Sequence, residues 1–427
     1  MSSIESSARI HHEAEPEQLF LVYINDEASD DPIVEAEMEG LVEAAGGEVA
    51  GTTRQRVSRP TKATYVGSGK AIEIAAAAEE LGADAIVFDC ELTGIQIRNL
   101  EEKAKRRVLD RTTLILDIFA RRARTREGQL QVELAQLTYR LPRLMSVYTK
   151  FERQRGGIGM RGPGETKLES DRRMVRDRIA RLKDDIEHVR QHRELQREGR
   201  RDQPYPFVAI VGYTSAGKST LMNRLASTEL LADAMPFATL DPTTRKIDLP
   251  DGDAFFLSDT VGFIRNLPTL LVAAFRATLE ELVFSDLLLH VVDVSHPAWE
   301  MQHDAVIETI EALKAQDVPM LTVFNKIDAA ADRVEMDRRV ADWPDSVAIS
   351  ALTGEGIHDL LEAIRRRLSG RLDAVRVLVP YDQAHLAEKA HDMGRVRVKE
   401  YREDGVYLVA DVVPELSGKL RRFTVDE

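Results

Sequence analysis

The sequence predicts an α/β protein assembled from more than one domain, and three observations carry that reading. Apolar runs of strand length alternate with helical runs in two separate stretches, 18–125 and 204–370. The segment between them has a leucine spacing of the coiled-coil kind and no strand pattern. A chain of 427 residues is long enough for two to four buried cores.

Residues 1–17 are polar and aperiodic and are expected to form a disordered tail. The strand "LFLVYI" (19–24) is followed by the helical runs "DPIVEAEMEGLVEAAG" and "GKAIEIAAAAEELG", the strand "ADAIVFD" and the helix "RNLEEKAKR". That order predicts a small α/β domain with a parallel sheet over 18–125. In 126–203, Leu130, Leu134, Leu137, Leu141 and Leu144 form one seam. Leu168, Val175, Ile179, Leu182, Ile186 and Val189 form a second, beyond the glycine-rich break "RGGIGMRGPGETK" at 155–167. Each seam is short for a free coiled coil, so an antiparallel helical hairpin is predicted, with Pro142 kinking or ending its first helix. Residues 204–370 offer the strands "FVAIVG", "AFFLSD", "LLLHVVDVS", "MLTVFNKID" and "SVAIS". Residues 371–427 read as a small α+β module in β-α-β-β order, from "AVRVLVP", "AHLAEKAHDMG", "RVRVKEYRE" and "GVYLVADVV".

Composition is ordinary for a soluble protein, with 43% hydrophobic and 30% charged residues. No apolar run reaches the length of a membrane span, the N-terminus lacks a secretory apolar core, and a cytoplasmic location is expected. A single cysteine, Cys90, excludes an internal disulfide framework and a cysteine-rich zinc site; it is expected to be a core residue. The net charge of −14 argues against non-specific coating of nucleic acid. Residues 140–201 depart from it, with 18 Lys and Arg against 10 Asp and Glu, a local charge of +8. His11 and His12 fall in the tail and are expected to bind no metal.

The strongest chemical signal is "GYTSAGKST", residues Gly212, Tyr213, Thr214, Ser215, Ala216, Gly217, Lys218, Ser219 and Thr220. It fits G-x-x-x-x-G-K-[ST] between the strand "FVAIV" and the helical run "LMNRLAS". The glycines let the backbone turn its N–H groups onto phosphates, Lys218 can reach the β- and γ-phosphates, and the Ser219 hydroxyl can bind Mg²⁺. One such loop does not separate ATP from GTP, but three further blocks do. In "DTVG", Asp259 suits a place near Mg²⁺, Thr260 and Val261 follow, and the Gly262 N–H can sense the γ-phosphate. In "NKID", Asn325 would fix the base edge, the Lys326 stem would cover a base face, Ile327 follows, and Asp328 can accept from N1–H and N2–H₂ of guanine. Adenine lacks that donor pair. In "SALTG", behind Ser350 and ahead of Leu352, the Ala351 N–H would meet guanine O6. All of these loops follow strands, where ligands bind in such sheets.

A first switch is expected in "FATLDPTTRK" (237–246), where Thr239, Thr243 and Thr244 are alternative Mg²⁺ ligands. "DTVGFIRNLP" (259–268) poses a problem, because Phe263 stands where many GTPases have a water-orienting glutamine. Either Phe263 is a hydrophobic plug, or a partner completes the site, which is the reading favoured; Arg245 and Arg265 are expected to face solvent or a partner rather than act in cis. "YVGSGK" (65–70) lacks the spacing of a second phosphate loop and reads as turn chemistry around Lys70, although a phosphate could bind there. Tyr139, Tyr148 and Phe151 offer a sparse stacking platform beside the basic hairpin.

Together "GYTSAGKST", "FATLDPTTRK", "DTVGFIRNLP", "NKID" and "SALTG" resemble the HflX GTPases, translation-factor-related P-loop GTPases. "YVGSGK", "RNLE", "VLDRTTLILDIFARRART" and "GPGETKLESDRR" extend the resemblance across the N-terminal domain and linker. It implies a P-loop GTPase domain, Mg²⁺ and GTP/GDP as cofactor and substrate, and binding to the large (50S) ribosomal subunit and its rRNA, with splitting of stalled ribosomes under stress. It also implies that Phe237, Ala238, Thr239, Leu240 and Asp241 form the first switch, with Thr239 and Ser219 as the Mg²⁺ ligands. Lys218, Thr239 and Gly262 are then the catalytic set. The family commonly has Asn where this chain has Ser215, which bears on whether potassium assists hydrolysis. A monomer without membrane insertion is expected. The rival readings are a GTP-dependent signalling switch that recruits a protein, and an RNA-remodelling NTPase.

Overall fold

The structure, a computed structural model, describes residues 16–25, 32–153, 163–201, 205–226, 236–237, 243–249, 254–265, 268, 282–330, 333–368, 373–392, 394–412 and 414–425. Nearly all of the predicted tail therefore lies outside the described residues. The chain divides into two compact units, residues 1–118 with 140–172 and residues 119–139 with 173–427.

The first unit is built on a four-stranded parallel sheet in the order β2-β1-β3-β4, with β1 Glu17–Asn25, β2 Gly47–Arg56, β3 Ala85–Phe88 and β4 Arg107–Asp110. The two inner strands are apolar and buried, as a sheet covered on both faces requires. Phe20, Val22, Ile86 and Phe88 pack on Ile74 and Leu100, which come from α2 (Ser68–Glu80) and α3 (Gly94–Ala104); α1 spans Pro32–Ala44. The edge strand β2, "GEVAGTTRQR", has no apolar stripe and is held by its backbone register on β1. Pattern reading therefore passes over it, and over the four-residue β4. Thr93 and Gln96 form a capping box that fixes the start of α3. Asp110 is fully buried and caps α4 (Arg111–Arg122) by accepting from the Thr113 N–H at 2.9 Å. It also accepts from the Leu92 N–H at 3.2 Å and from Arg143 of α5 (Arg126–Arg153) at 3.3 Å. Cys90 packs against the same core, and burial together with the Asp89 carboxylate pushes its thiol up to about 12.

The second unit contains a six-stranded sheet in the order β10-β9-β8-β5-β7-β6. Its strands are β5 Phe207–Gly212, β6 Thr243–Asp248, β7 Ala254–Asp259, β8 Leu287–Asp293, β9 Met320–Asn325 and β10 Ser346–Ala348. Only β6 runs antiparallel. It was not foreseen, because "TTRKID" shows one buried apolar residue, Ile247, at the sheet's edge. The helices that follow are α7 Lys218–Ala226, α8 Trp299–Ala312, α9 Arg333–Asp342 and α10 Ile357–Leu368.

Helix α5 does not end at Pro142; it continues through it to Arg153. Next, α6 (Pro163–Arg201) starts on a proline, the position where a missing N–H costs least. "PGETK" (163–167) is thus helical rather than part of the glycine-rich break, and 154–162 lie outside the described residues. Within this unit α5 and α6 meet through a bidentate ion pair, Arg178 to Glu133, at 2.7 Å for both contacts. The chain closes with the antiparallel sheet β11-β13-β12, from β11 Asp373–Val379, β12 Gly394–Arg402 and β13 Gly405–Val412. It is backed by α11 (Ala384–Asp392) and by a terminal helix α12 (Pro414–Leu420) absent from the β-α-β-β expectation. The architecture is α/β with a mostly parallel central sheet and extra modules at both ends. No helix among the described residues is long and apolar enough to cross a membrane.

Both tryptophans sit beside β9: Trp299 and Trp343 pack edge-on against Phe324 at 5.6 Å each. His303 joins Trp343 at 5.2 Å and stacks on His290 of β8 at 4.8 Å. His290 is 1% exposed, and burial, with the neighbouring His303 and Lys218 charges, lowers its pKa to about 3. The folded state thus keeps this ring neutral, whereas the unfolded chain binds a proton below about pH 6.5. Its stabilising contribution is full above that pH and is lost as the pH falls toward 3. Acid denaturation followed by tryptophan emission should show a slope approaching ~1.4 kcal/mol per pH unit from this group, and His290→Gln should flatten that limb.

Candidate functional site

The parallel strands end at Gly212, Asp259, Asp293 and Asn325, so their loops gather at the C-terminal edge of the sheet. The loop after β5 wraps tightly: Ser215 has φ 61° and Gly217 φ 91°. A side chain at Gly217 would be strained and would strike the Asn325 amide. The next residue, Lys218, opens α7 and is 7% exposed. Its ammonium donates to the carbonyls of Gly212 at 3.1 Å and Tyr213 at 2.7 Å. Burial lowers its pKa to about 8, against the opposing pull of Asp259.

The Ser219 hydroxyl donates to Asp259 Oδ2 at 2.8 Å, and Asp259 is 2% exposed. A hydroxyl beside one buried carboxylate is a hard oxygen set of the kind Mg²⁺ takes when phosphates and water supply the remaining ligands. Thr260 turns inward and donates to the Ile210 carbonyl at 2.6 Å. Val261 is buried. Gly262 lies flat on the phosphate loop; a Cβ there would sit 3.1 Å from Lys218 Nζ and 3.0 Å from Thr214 Cγ2. Phe263 and Tyr213 form a one-residue β-bridge. The Phe263 N–H donates to the Gly212 carbonyl at 3.1 Å, and the Thr214 N–H donates to the Phe263 carbonyl at 2.8 Å. The Tyr213 hydroxyl accepts from the Arg265 N–H at 2.9 Å. The Phe263 ring itself is 1% exposed, which both alternatives accommodate. Arg245 and Arg265 are half-buried, with their Nε atoms shielded from solvent, rather than fully solvated.

At the other end, Asn325 is 1% exposed and is used twice. Its amide donates to the Ala216 carbonyl at 2.8 Å, and its oxygen accepts from the Ala351 N–H at 2.9 Å. Lys326 has φ 63°, and its ammonium donates to Asp293 Oδ2 at 2.6 Å. Ile327 is buried, whereas Asp328 is exposed in the short 3-10 turn Ile327–Ala329. Ser350 is fully buried, and its hydroxyl accepts from the Thr353 N–H at 3.0 Å.

The structure thus brings Gly212–Ser219, Asp259–Gly262, Asn325–Asp328 and Ser350–Leu352 to one edge, with Thr220 in the first turn of α7. Phe237 is 2% exposed with φ 59° and packs edge-on against Phe119 at 4.6 Å. Ala238, Thr239, Leu240 and Asp241 lie outside the described residues. Thr243 and Thr244 belong to β6, where the Thr244 hydroxyl donates to Ser258 Oγ at 3.4 Å. Two contributors were not foreseen. Asp293 lies at the end of "LLLHVVDVS", and Arg224 lies in the helical run after the phosphate loop; neither belongs to a loop motif that marks it in advance.

Family models match nearly the whole chain. They are the GTP-binding GTPase N-terminal (34–120), the GTP-binding GTPase Middle Region (122–200), the 50S ribosome-binding GTPase (207–326) and the HflX C-terminal domain (335–423). A GTPase HflX of Magnetococcus marinus is 47% identical over 386 residues, 90% of this chain and 89% of the relative. A GTPase HflX of Escherichia coli is 44% identical over 390 residues, 91% and 92% of the two chains. A solved GTP-binding protein from the archaeon Sulfolobus solfataricus, in complex with GDP, aligns with 82% of this chain and 98% of its own. Its identity is 24% and its TM-score 0.44.

If phosphates meet the Lys218 ammonium, as the spacing of the motif predicts, its depressed pKa should make nucleotide binding proton-linked. Phosphate oxygens favour the charged ammonium, so its pKa rises on binding. Above about pH 8 the free site is partly neutral, and GDP binding takes up a proton; affinity should fall as the pH rises through 8. Calorimetry at pH ~8.5 in buffers of different ionisation enthalpy should show uptake on the order of half a proton, fading by pH ~7. Lys218→Ala should remove the uptake together with most of the affinity.

Proposed function

The chain belongs to the HflX family of GTPases, and we propose that it is a magnesium-dependent, guanine-selective hydrolase that works in the cytoplasm on the large ribosomal subunit. The observation that carries the nucleotide part is the pair of hydrogen bonds made by the Asn325 side chain, which hold the phosphate loop at Ala216 and the base loop at Ala351. Lys218 and the backbone from Gly212 to Ser219 face the phosphates; Asp328 reads N1–H and N2–H₂ of guanine; Ala351 and Leu352 lie at the 6-oxo edge. Ser219 and Thr239 would hold the Mg²⁺, with Asp259 accepting from the Ser219 hydroxyl, and the ion when bound would supply positive charge to the β- and γ-phosphate oxygens. Gly262, where a side chain would run into the Lys218 ammonium, is placed to report the γ-phosphate to the segment that follows.

The buried Phe263 ring offers nothing to an attacking water. A partner that remodels this segment supplies the missing element, so turnover is slow for the free protein and faster on ribosomes. The ribosomal assignment draws on the family model matched over 207–326, described as a 50S ribosome-binding GTPase, and on the basic stretch 140–201. Splitting or rescue of stalled ribosomes is the physiological role proposed. The protein acts as a monomer in this scheme.

Co-sedimentation with 50S particles tests the partner. Binding should require a non-hydrolysable GTP analogue and fall steeply with salt, and steady-state GTPase activity should rise when ribosomes are added. Activity that ribosomes leave unchanged, or binding flat in salt, removes the ribosomal reading. For the base site, Asp328→Asn replaces two acceptors with an acceptor and a donor. GTP affinity should drop roughly tenfold to a hundredfold while xanthosine triphosphate, whose 2-oxo group accepts, gains.

A further inference from the structure

Arg224 lies on α7, two turns beyond Lys218, and reaches across 127 residues of sequence to the "SALTG" loop. Its Nε donates to the Ala351 carbonyl at 3.1 Å, and its Nη2 donates to the Leu352 carbonyl. Two consecutive carbonyls on one rigid fork fix the orientation of two peptide planes, something a lysine with its single ammonium cannot reproduce. Arg224 is exposed, so it fills no core space; what it holds is the turn.

The turn's N–H groups are almost all occupied. The Ala351 N–H donates to Asn325, and the Thr353 N–H donates to Ser350 Oγ. The Leu352 N–H lies between them and has no acceptor among the described residues. In a trans peptide the N–H points opposite to the preceding C=O. The Ala351 carbonyl is held toward Arg224, so the Leu352 N–H is turned away from the guanidinium and is the turn's unsatisfied donor.

We infer that Arg224 is a positioning residue for guanine selectivity: by fixing the Ala351 and Leu352 carbonyls it presents a backbone N–H to the 6-oxo group of the base. This inference rests on the nucleotide site proposed above. A 6-oxo group accepts that N–H, whereas a 6-amino group, itself a donor, leaves it unpaired. Because Arg224 stands on the helix that starts with Lys218 and Ser219, the base-reading turn is tied to the phosphate-binding helix as well as to Asn325.

The test compares GDP with 2-aminopurine riboside diphosphate, which keeps the 2-amino group and lacks both the 6-oxo group and the N1–H, by calorimetry on the full chain; the N1–H difference is the same for wild type and variant, so the change in preference on substitution reports the 6-oxo contact. Wild type should prefer GDP. Arg224→Met and Arg224→Lys should each weaken GDP by about tenfold while leaving the 2-aminopurine nucleotide within about twofold, so that the preference shrinks by about that factor and only the part read by Asp328 at N1–H remains. Equal loss for both nucleotides in both variants would show a general structural role and overturn the inference, as would no loss for either nucleotide. A wild-type chain that binds both nucleotides equally would overturn the guanine site itself. Hydrogen exchange on wild type gives a reading that needs no variant. The Leu352 amide should be protected by GDP and not by the 2-aminopurine nucleotide; equal protection by both counts against the assignment.

Discussion

One carboxamide organises the nucleotide edge of this protein. Asn325 gives its N–H to the phosphate loop and its oxygen to the base loop, and it is buried, so neither bond competes with water. The carboxamide puts a donor and an acceptor on one planar group; aspartate would place a carboxylate against the Ala216 carbonyl, and leucine would leave two buried backbone groups unpaired. The constraint spreads to its neighbours. Gly217 cannot carry a side chain because the Asn325 amide occupies that space. Lys326 takes a left-handed backbone to leave β9, and its ammonium is then pinned to Asp293. The base end of the site is therefore pre-organised by side chains whose partners all lie within one sheet edge.

The phosphate end is held differently. Gly262 and Phe263 meet the phosphate loop through backbone contacts: a single β-bridge, two N–H to carbonyl bonds, and the Tyr213 hydroxyl on the Arg265 N–H. These are backbone bonds, whereas the buried Phe263 ring anchors the segment in the core. That division answers the difficulty raised by "DTVGF". The phenylalanine serves the position of the loop, and in the function proposed above a partner supplies what a glutamine provides in other GTPases.

What could be read in the sequence was what chemistry forces on it. A phosphate cradle needs glycine at positive φ, a lysine and a hydroxyl at fixed spacing, and a guanine reader needs an acidic residue beyond a strand; those residues announce themselves. The α/β class followed from strands buried on both faces, such as β5 and β8. What escaped was structure held by backbone or by distant partners. β2 and β6 are edge strands with few inward apolar residues, so no alternation betrays them. α12 is a seven-residue helix containing a glycine. Pro142 did not end α5, whose next residue, Arg143, is bonded to the buried Asp110 and to the Leu92 carbonyl. Arg224 was invisible because its role depends on a loop 127 residues away.

Cys90, with its thiol held protonated by burial and by Asp89, has a practical bearing beyond its place in the core. Maleimides and disulfides react with thiolate, and a thiol with so high a pKa presents almost none at neutral pH. A cysteine introduced on the surface would thus be the chain's single fast-reacting position, and site-specific dyes could be attached without first removing the native residue.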